Sequence, residues 1–292
     1  MKHKSLSRKI FLAFDYALIT LIIIICIIPV WHVFMGSFSQ PNLLESNAKL
    51  LLKPLGDLTL VGYQYILNYK NIWVGYGNTI IYTILQCLIT GFLTLLAGYV
   101  LSRKRFKYRN GVMAFIAFTM LFNGGMIPTY MVVRELHILN TPWALLLPSA
   151  MNVMYIIIMR TGIETIPETL EESARLDGAG ELAIAFKIML PLSKASFAVI
   201  ILFTAVMKWN EWYPALLYIS DKSLYPLQMF LREILTMNKD ITSGTDMLSS
   251  MSNYKVIIQY CSIVVATVPI LCVYPFVQKH FEKGMLIGSI KG

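Results

Sequence analysis

Six long apolar runs dominate the chain, at residues 11–36, 77–101, 110–133, 142–160, 192–219 and 256–278. Each approaches or exceeds the ~20 residues that a helix needs to cross a bilayer's hydrocarbon core. Lipid offers no partner to a free peptide group, so each span is expected to be helical. The expected fold is therefore all-α and polytopic, with six transmembrane helices. Composition agrees: 57% of the 292 residues are hydrophobic and 14% charged, whereas soluble domains run at about 45–50% and 25%.

Lysine and arginine set the expected orientation. Sixteen of the 25 basic residues fall in the N-terminal segment, the 2–3 loop (Arg103, Lys104, Arg105, Lys107, Arg109), the 4–5 region and the C-terminal tail. That side is cytoplasmic by the positive-inside rule. Both termini are then inside, which requires an even number of spans. The net charge of +9 reads as a topology signal and not as a nucleic-acid footprint. The run Ile10–Met35 is too long for a signal-peptide core, and no A-x-A site follows it, so an uncleaved first span is expected. The linear organisation expected is 1–76 (first helix and extracytoplasmic loop), 77–279 (membrane-spanning core, including a cytoplasmic loop at 163–191) and 280–292 (cytoplasmic tail).

Other chemistries lack their residues. Cys26, Cys87, Cys261 and Cys272 lie in apolar runs and form no CxxC, so they read as small hydrophobes. The four histidines form no HExxH, and no metal site is expected. No G-x-x-x-x-G-K-[ST] occurs, so the chain has no phosphate loop with which to hold ATP. The outer segment 37–76 carries Tyr63, Tyr65, Tyr69, Trp73 and Tyr76, which suits an interfacial aromatic belt or, alternatively, sugar stacking. Small residues four apart, at Thr83, Cys87 and Gly91 and again at Thr94 and Gly98, let helices approach closely.

The 4–5 loop, at about 30 residues, is longer than a connector needs to be. Pro167 suits the first helical position. Glu168, Glu171 and Glu172 fall in the first turns, where carboxylates favour the positive end of the helix dipole. Gly178 and Gly180 permit a tight turn. A second short amphipathic helix is expected, with Leu182, Phe186 and Leu190 on one face, and Pro191 marks its boundary with span five. The result is a helix–turn–helix that protrudes from the membrane.

The spacing of Glu172-Ser173-Ala174, Gly178, Ile188 and Leu190-Pro191, flanked by Asp177-Gly178-Ala179, resembles the EAA loop of bacterial ATP-binding-cassette (ABC) importer permeases. Ser173 departs from the usual alanine but is still small. Trp209-Asn210-Glu211-Trp212, Tyr225-Pro226-Leu227 and the tail 283–292 resemble the carbohydrate branch, specifically the smaller permease of maltose-type importers. Phe122-Asn-Gly-Gly-Met-Ile-Pro128 and Leu224-Tyr-Pro-Leu-Gln228 resemble permeases of oligosaccharide and uronic-acid oligomer uptake. The resemblance implies that Glu171, Glu172, Ser173, Ala174, Asp177, Gly178, Ala179, Ile188, Leu190 and Pro191 form a coupling hairpin that docks into a cleft on an ATPase, with Glu172 meeting a basic group there. It also implies a second homologous permease, an ABC ATPase dimer that uses ATP and Mg, an extracytoplasmic solute-binding protein and a sugar substrate. The chain itself would bind no cofactor and catalyse no reaction. Its expected place is the bacterial cytoplasmic membrane, among lipid, with no nucleic-acid partner.

Ionisable and polar groups within spans are costly and often functional. Lys208 and Glu211 are three apart and able to pair. Trp209, Trp212 and Tyr213 offer flat surfaces for sugar rings. Gln86, Asn123, Asn152, Tyr155, Asn210 and Glu211 are further candidates for a substrate path; each serves equally well as glue between helices. Three alternatives stay open at this level: an ABC permease for a non-sugar solute, a self-contained secondary transporter, and, with no nucleophile–base pair to support it, an intramembrane enzyme.

Overall fold

A computed structural model describes residues 6–47, 49–122, 124–236 and 254–289. Among these the regular structure is helical throughout: α1 Leu6–Gly36, α2 Pro41–Glu45, α3 Val61–Asn68, α4 Lys70–Ser102, α5 Arg109–Thr119, α6 Met126–Glu135, α7 Trp143–Leu146, α8 Val153–Glu164, α9 Glu168–Leu176, α10 Glu181–Leu192, α11 Lys194–Trp209, α12 Tyr213–Tyr218, α13 Leu227–Thr236 and α14 Lys255–Ser289. The chain forms two compact units, Met1–Lys70 with Glu233–Val268, and Asn71–Arg232 with Pro269–Gly292.

Among the described residues three helices are long and apolar enough to cross a membrane: Arg8–Gly36 of α1, α4, and Lys255–Cys272 of α14. α10 and α11, bent by 88° at their junction, make a fourth if the pair is one span. The other expected runs are not continuous. The run 110–133 divides into α5 and α6, because Gly125 adopts φ +85°, a conformation that glycine reaches without penalty. Pro128 then sits in the first turn of α6, where its missing N–H leaves no helical bond unmade. The run 142–160 divides around Pro148 into α7 and α8, and Asn152 caps α8 by accepting a bond from the Met154 amide at 2.9 Å. The run 192–219 divides into α11 and α12, and Pro214 stands in the first turn of the latter. Average hydropathy does not register these breaks, since their flanks are as apolar as a straight span.

In the first unit, the C-terminal end of α1 is fastened by side chains. His32 Nδ1 accepts from the Leu51 amide at 3.0 Å, and its Nε2 lies 2.9 Å from the Tyr260 hydroxyl. The Ser37 and Tyr63 hydroxyls meet at 2.8 Å. The segment 37–76 is not simply a loop: residues 61–68 and 70–76 are helical. Tyr63 is tied into the fold there, and the Tyr65 ring lies 5.1 Å from that of Tyr254.

In the second unit, α4 is the common element. A Cβ on Gly98 would come within 2.8 Å of the Met159 side chain, and one on Gly91 within 2.9 Å of Ile201. The small residues of α4 therefore set its crossings with α8 and α11. Two cores form along it. One gathers Leu95, Tyr99, Met159, Ile163, Ile184, Met189 and Ile200 beneath the hairpin of α9 and α10. The other gathers Tyr82, Leu145, Leu146, Ala215, Tyr218 and Met229 around α7, α12 and the start of α13. Asn140, at φ +57°, ties the second core together: its side-chain oxygen accepts from the Ser220 and Asp221 amides, each at 2.9 Å.

Candidate functional site

Two clusters of charged side chains hold the expected functional elements. The first stands at the base of the α9–α10 hairpin. α9 begins after Pro167, which sits at the N-cap with ψ 133° and not at the first helical position. α9 closes with a left-handed turn: Gly178 has φ +81°, the Gly178 amide donates to the Arg175 carbonyl at 3.0 Å, and the Ala179 amide donates to the Ala174 carbonyl at 2.9 Å. This is a Schellman closure, completed by Ala174 and Ala179 packing in one core.

Within that frame the ten residues of the motif divide by direction. Glu172, Ser173, Asp177, Gly178 and Pro191 are exposed, whereas Glu171, Ala174, Ala179, Ile188 and Leu190 turn inward. Phe186 packs on the ring of Phe92, centroids 5.8 Å apart. Leu182, expected on the same face as Phe186 and Leu190, is 63% exposed instead. The reason lies in Ile184–Met189, which form π turns and shift the register of the later residues. Pro191 offers no N–H to the carbonyl four residues earlier and crowds it, and a widened turn relieves that conflict.

Glu171 is buried and forms ion pairs with Arg103 and Arg175. Glu181, half exposed, pairs with Arg105, accepts a 2.7 Å bond from the Tyr99 hydroxyl and lies 3.3 Å from Arg175. The Tyr99 bond, helped by Arg105 and Arg175, holds the Glu181 carboxyl below the usual carboxylate range against a smaller opposing effect of burial. Three guanidinium groups and two carboxylates thus join the end of α4 and the 2–3 loop to both arms of the hairpin. Arg103, Arg105, Tyr99 and Glu181 carry this arrangement, and none was singled out for it in the sequence. The arginines stood there as topology signals, and charge counting does not reveal which of five basic residues turns inward.

The second cluster lies where α11 ends. The Lys208 ammonium is buried and donates to the Leu145 carbonyl at 2.7 Å, to Ser149 Oγ at 3.4 Å and to Glu211 Oε2 at 2.6 Å. Its three donors meet three acceptors. Ser149 Oγ in turn donates to Gln86 Oε1 at 3.2 Å, and Gln86 Nε2 donates to the Ser149 carbonyl at 3.1 Å and to Thr90 Oγ1 at 3.0 Å. Gln86 and Glu211 are therefore joined through Ser149 and Lys208. Ser149, the centre of the network, carried no sequence signal beyond its place in an apolar run.

The remaining pathway candidates separate. Asn152 is spent on capping α8. Asn210 donates to the Val206 carbonyl of its own helix at 2.7 Å. The Tyr155 hydroxyl points to Met207 Sδ at 3.2 Å, and the residue is buried. The Trp209 ring lies 6.2 Å from that of Tyr76. Trp212 and Tyr213 remain exposed, their rings 5.5 Å apart and near perpendicular. Asn123 lies outside the described residues. Among the described residues no group of His, Cys, Asp and Glu is placed to hold a metal ion.

The comparisons with known proteins agree with one another. Residues 91–287 match the family described as "Binding-protein-dependent transport system inner membrane component". The polygalacturonan/rhamnogalacturonan transport system permease protein YtcP of Bacillus subtilis (strain 168) is 39% identical over 288 residues, which cover 98% of this chain and all of that one. Protein LplC of the same organism is 40% identical over 268 residues, 92% of this chain and 90% of its own length. Among solved structures, a chain from the crystal structure of a bacterial ABC transporter involved in the import of the acidic polysaccharide alginate superposes with TM-score 0.87 at 30% identity, covering 96% of this chain and 100% of that one.

Proposed function

The chain belongs to the family of binding-protein-dependent transport system inner membrane components and is a permease subunit of an ABC transporter, and on that premise we propose that it imports an oligosaccharide of uronic-acid type across the cytoplasmic membrane. The substrate class is supported by two relatives, one named for polygalacturonan/rhamnogalacturonan transport and one from a transporter involved in the import of the acidic polysaccharide alginate. The working unit is this chain beside a second homologous permease, on an ATPase dimer that hydrolyses ATP with Mg, served by an extracytoplasmic binding protein. Six crossings with both termini in the cytoplasm remain the reading that best fits the basic residues. The broken runs 110–133, 142–160 and 192–219 then each cross as a pair of shorter helices.

The observation that carries the reading is the hairpin. It presents Glu172, Ser173, Asp177 and Gly178 outward on a base locked by buried ion pairs. In this reading the outward residues dock into the ATPase cleft and Glu172 meets a cation there, while Glu171, Ala174, Ala179, Ile188 and Leu190 keep the hairpin rigid. α10 passes directly into α11, whose far end bears Lys208 and leads to Glu211, Trp212 and Tyr213. Closure of the ATPase dimer on ATP displaces the hairpin, and α11 conveys the displacement to the candidate sugar path. The ligand-free and ATP-bound states must make different contacts for this to do work, and the hairpin is where they differ.

Affinity purification of the tagged chain from its native cells in mild detergent tests the assignment. Recovery of an ATPase and a second permease is expected, with the ATPase lost in Glu172→Lys while the chain stays folded. A chain that purifies alone and takes up solute in vesicles without ATP would instead be a secondary transporter.

A further inference from the structure

α4 is fastened to the rest of its unit at three levels. Toward its start, Asn78 Nδ2 donates to the Ser223 carbonyl at 2.7 Å and to the Tyr225 carbonyl at 3.0 Å. The Tyr82 hydroxyl donates to the Leu224 carbonyl at 3.0 Å. Thr79 Oγ1 accepts from the Leu227 amide at 2.8 Å. Three side chains of one helix thus hold the main chain of four residues, and Thr79 and Tyr82 are buried. Gly75 permits that approach, since a Cβ there would stand 2.9 Å from Leu227 Cα. Midway, Gln86 bonds Ser149 at the break between α7 and α8. At the far end, Tyr99 and Arg103 bond Glu181 and Glu171 of the hairpin.

The segment held at the near end is exposed at its tip, where Ser220, Asp221, Lys222 and Ser223 lie on the surface. Its main chain is pinned from the other side by Asn140, which accepts from the Ser220 and Asp221 amides. It is pinned from within by Asp221 Oδ1, which accepts from the Ser223 amide at 2.8 Å. A buried main-chain group stripped of its partner is costly, so the segment moves with the groups that hold it and does not slide over them. α4 has 33 residues, more than the ~20 that cross a hydrocarbon core. In the orientation read above it joins the cytoplasmic hairpin to an extracytoplasmic knuckle.

We propose that α4 is a strut that carries the state of the hairpin to the 220–227 knuckle, where the binding protein docks, and that Asn78, Thr79 and Tyr82 are the positioning residues that make the knuckle follow. The inference rests on the import reading above. It adds a second route beside α11 and the place where that route reaches the outer surface. Linkage is reciprocal: if closure of the ATPase alters the affinity for the binding protein, binding of that protein favours or disfavours closure by the same factor.

The test is the affinity of the binding protein for the complete transporter in nanodiscs. The probe is the transporter's own binding protein, fluorescently labelled and saturated with a galacturonate trimer. Its Kd is measured with the ATPase nucleotide-free and again with the ATPase trapped by ATP and vanadate. The ratio of the two values is the coupling, and in the wild type it is expected to be at least about tenfold. Thr79→Val/Tyr82→Phe removes one acceptor and one donor with little change of shape. It should assemble, keep basal ATP hydrolysis within about twofold and lower the ratio at least about fivefold. Damage confined to folding or to the docking surface would instead shift both Kd values together. Asn140→Gly loosens the same knuckle from the side away from α4, and it should change the ratio less than about twofold. If the double variant does not assemble with the ATPase, Asn78→Ala decides, with the ratio down at least about threefold. An unchanged ratio in an assembled variant overturns the proposal, as does a fall in Asn140→Gly equal to that in the α4 variant. A wild type with one Kd in both nucleotide states overturns it and leaves import standing. A wild type whose ATP hydrolysis does not respond to its binding protein, with or without saccharide, overturns the import reading and the proposal with it.

Discussion

The two ionic clusters of the second unit solve opposite problems. At the hairpin, five charged groups are shared: Glu171 has two arginine partners and Glu181 has two, with a tyrosine hydroxyl besides. At the end of α11 a single lysine meets a single glutamate, and the lysine's other two donors go to a carbonyl and a hydroxyl. The first arrangement is redundant and reaches the surface. The second is buried and has no spare partner. Redundancy suits a part that bears load from outside, because one contact can strain while others hold. A minimal, fully satisfied pair suits an interior where a lone charge is costly.

The sharpest way to break that contrast is to remove one partner from each cluster. Lys208→Met leaves the largely buried Glu211 without its cation, and a loss of about 3–5 kcal/mol is expected. It should show as a large fall in the melting temperature of the purified complex, most of it recovered in Lys208→Met/Glu211→Gln. Arg103→Met leaves Glu171 with Arg175, so a smaller loss of about 1–3 kcal/mol is expected. Its larger effect should be on coupling, with ATP hydrolysis that no longer responds to the loaded binding protein. If Arg103→Met proved as destabilising as Lys208→Met, the redundancy drawn from the ion pairs would be wrong.

Gly178→Ala places a Cβ on a residue with φ +81°, which costs about 1–2 kcal/mol. Nothing crowds that Cβ from outside, so the cost is conformational, and loosened ATPase retention on a pull-down should reveal it. The smallest effect expected is that of pH on Glu181. Its folded carboxyl titrates below the ordinary carboxylate value, so the stability it contributes is fully present above the unfolded value near 4.5. It is lost as pH falls through the lower folded value. The group is 49% exposed, so solvent screens it. Melting temperatures of the wild type and Glu181→Gln should differ slightly at neutral pH and converge as the medium is acidified below pH 4. A gap that widened in acid would reverse the sign of the argument.

Much of the hairpin was legible from the chain alone, because its signals are local. Pro167, the acidic first turn, Gly178 and Pro191 each act within a few residues, and the helix, turn and helix follow. What was not legible is direction. Glu171 and Glu172 are neighbours, yet the 100° that separates them on a helix sends one into the arginine cluster and the other to the surface. That choice is made by where α4 and the 2–3 loop lie, which local sequence does not encode. The breaks in the apolar runs were half legible. Gly124, Gly125, Pro128 and Pro148 are helix-perturbing residues plain in the sequence, but a kink and a full break look alike in hydropathy. The polar candidates fared as their chemistry allowed. A buried Gln or Tyr in an apolar run must find a partner, and only tertiary structure shows that Gln86 found Ser149 and Tyr155 found Met207.

The 88° corner at Ser193 has a mechanical meaning. Two stiff arms fixed at a right angle form a bell crank: a push across one arm becomes a swing of the other, turned through a quarter circle. The arms are unequal. α10 spans residues 181–192 and α11 residues 194–209, so the second arm is the longer. With its pivot at Ser193, such a crank would move the far end of α11 farther than the tip of α10 is moved. Lengthening α11 by one turn would widen that difference, and softening the corner would let the push dissipate before it arrived.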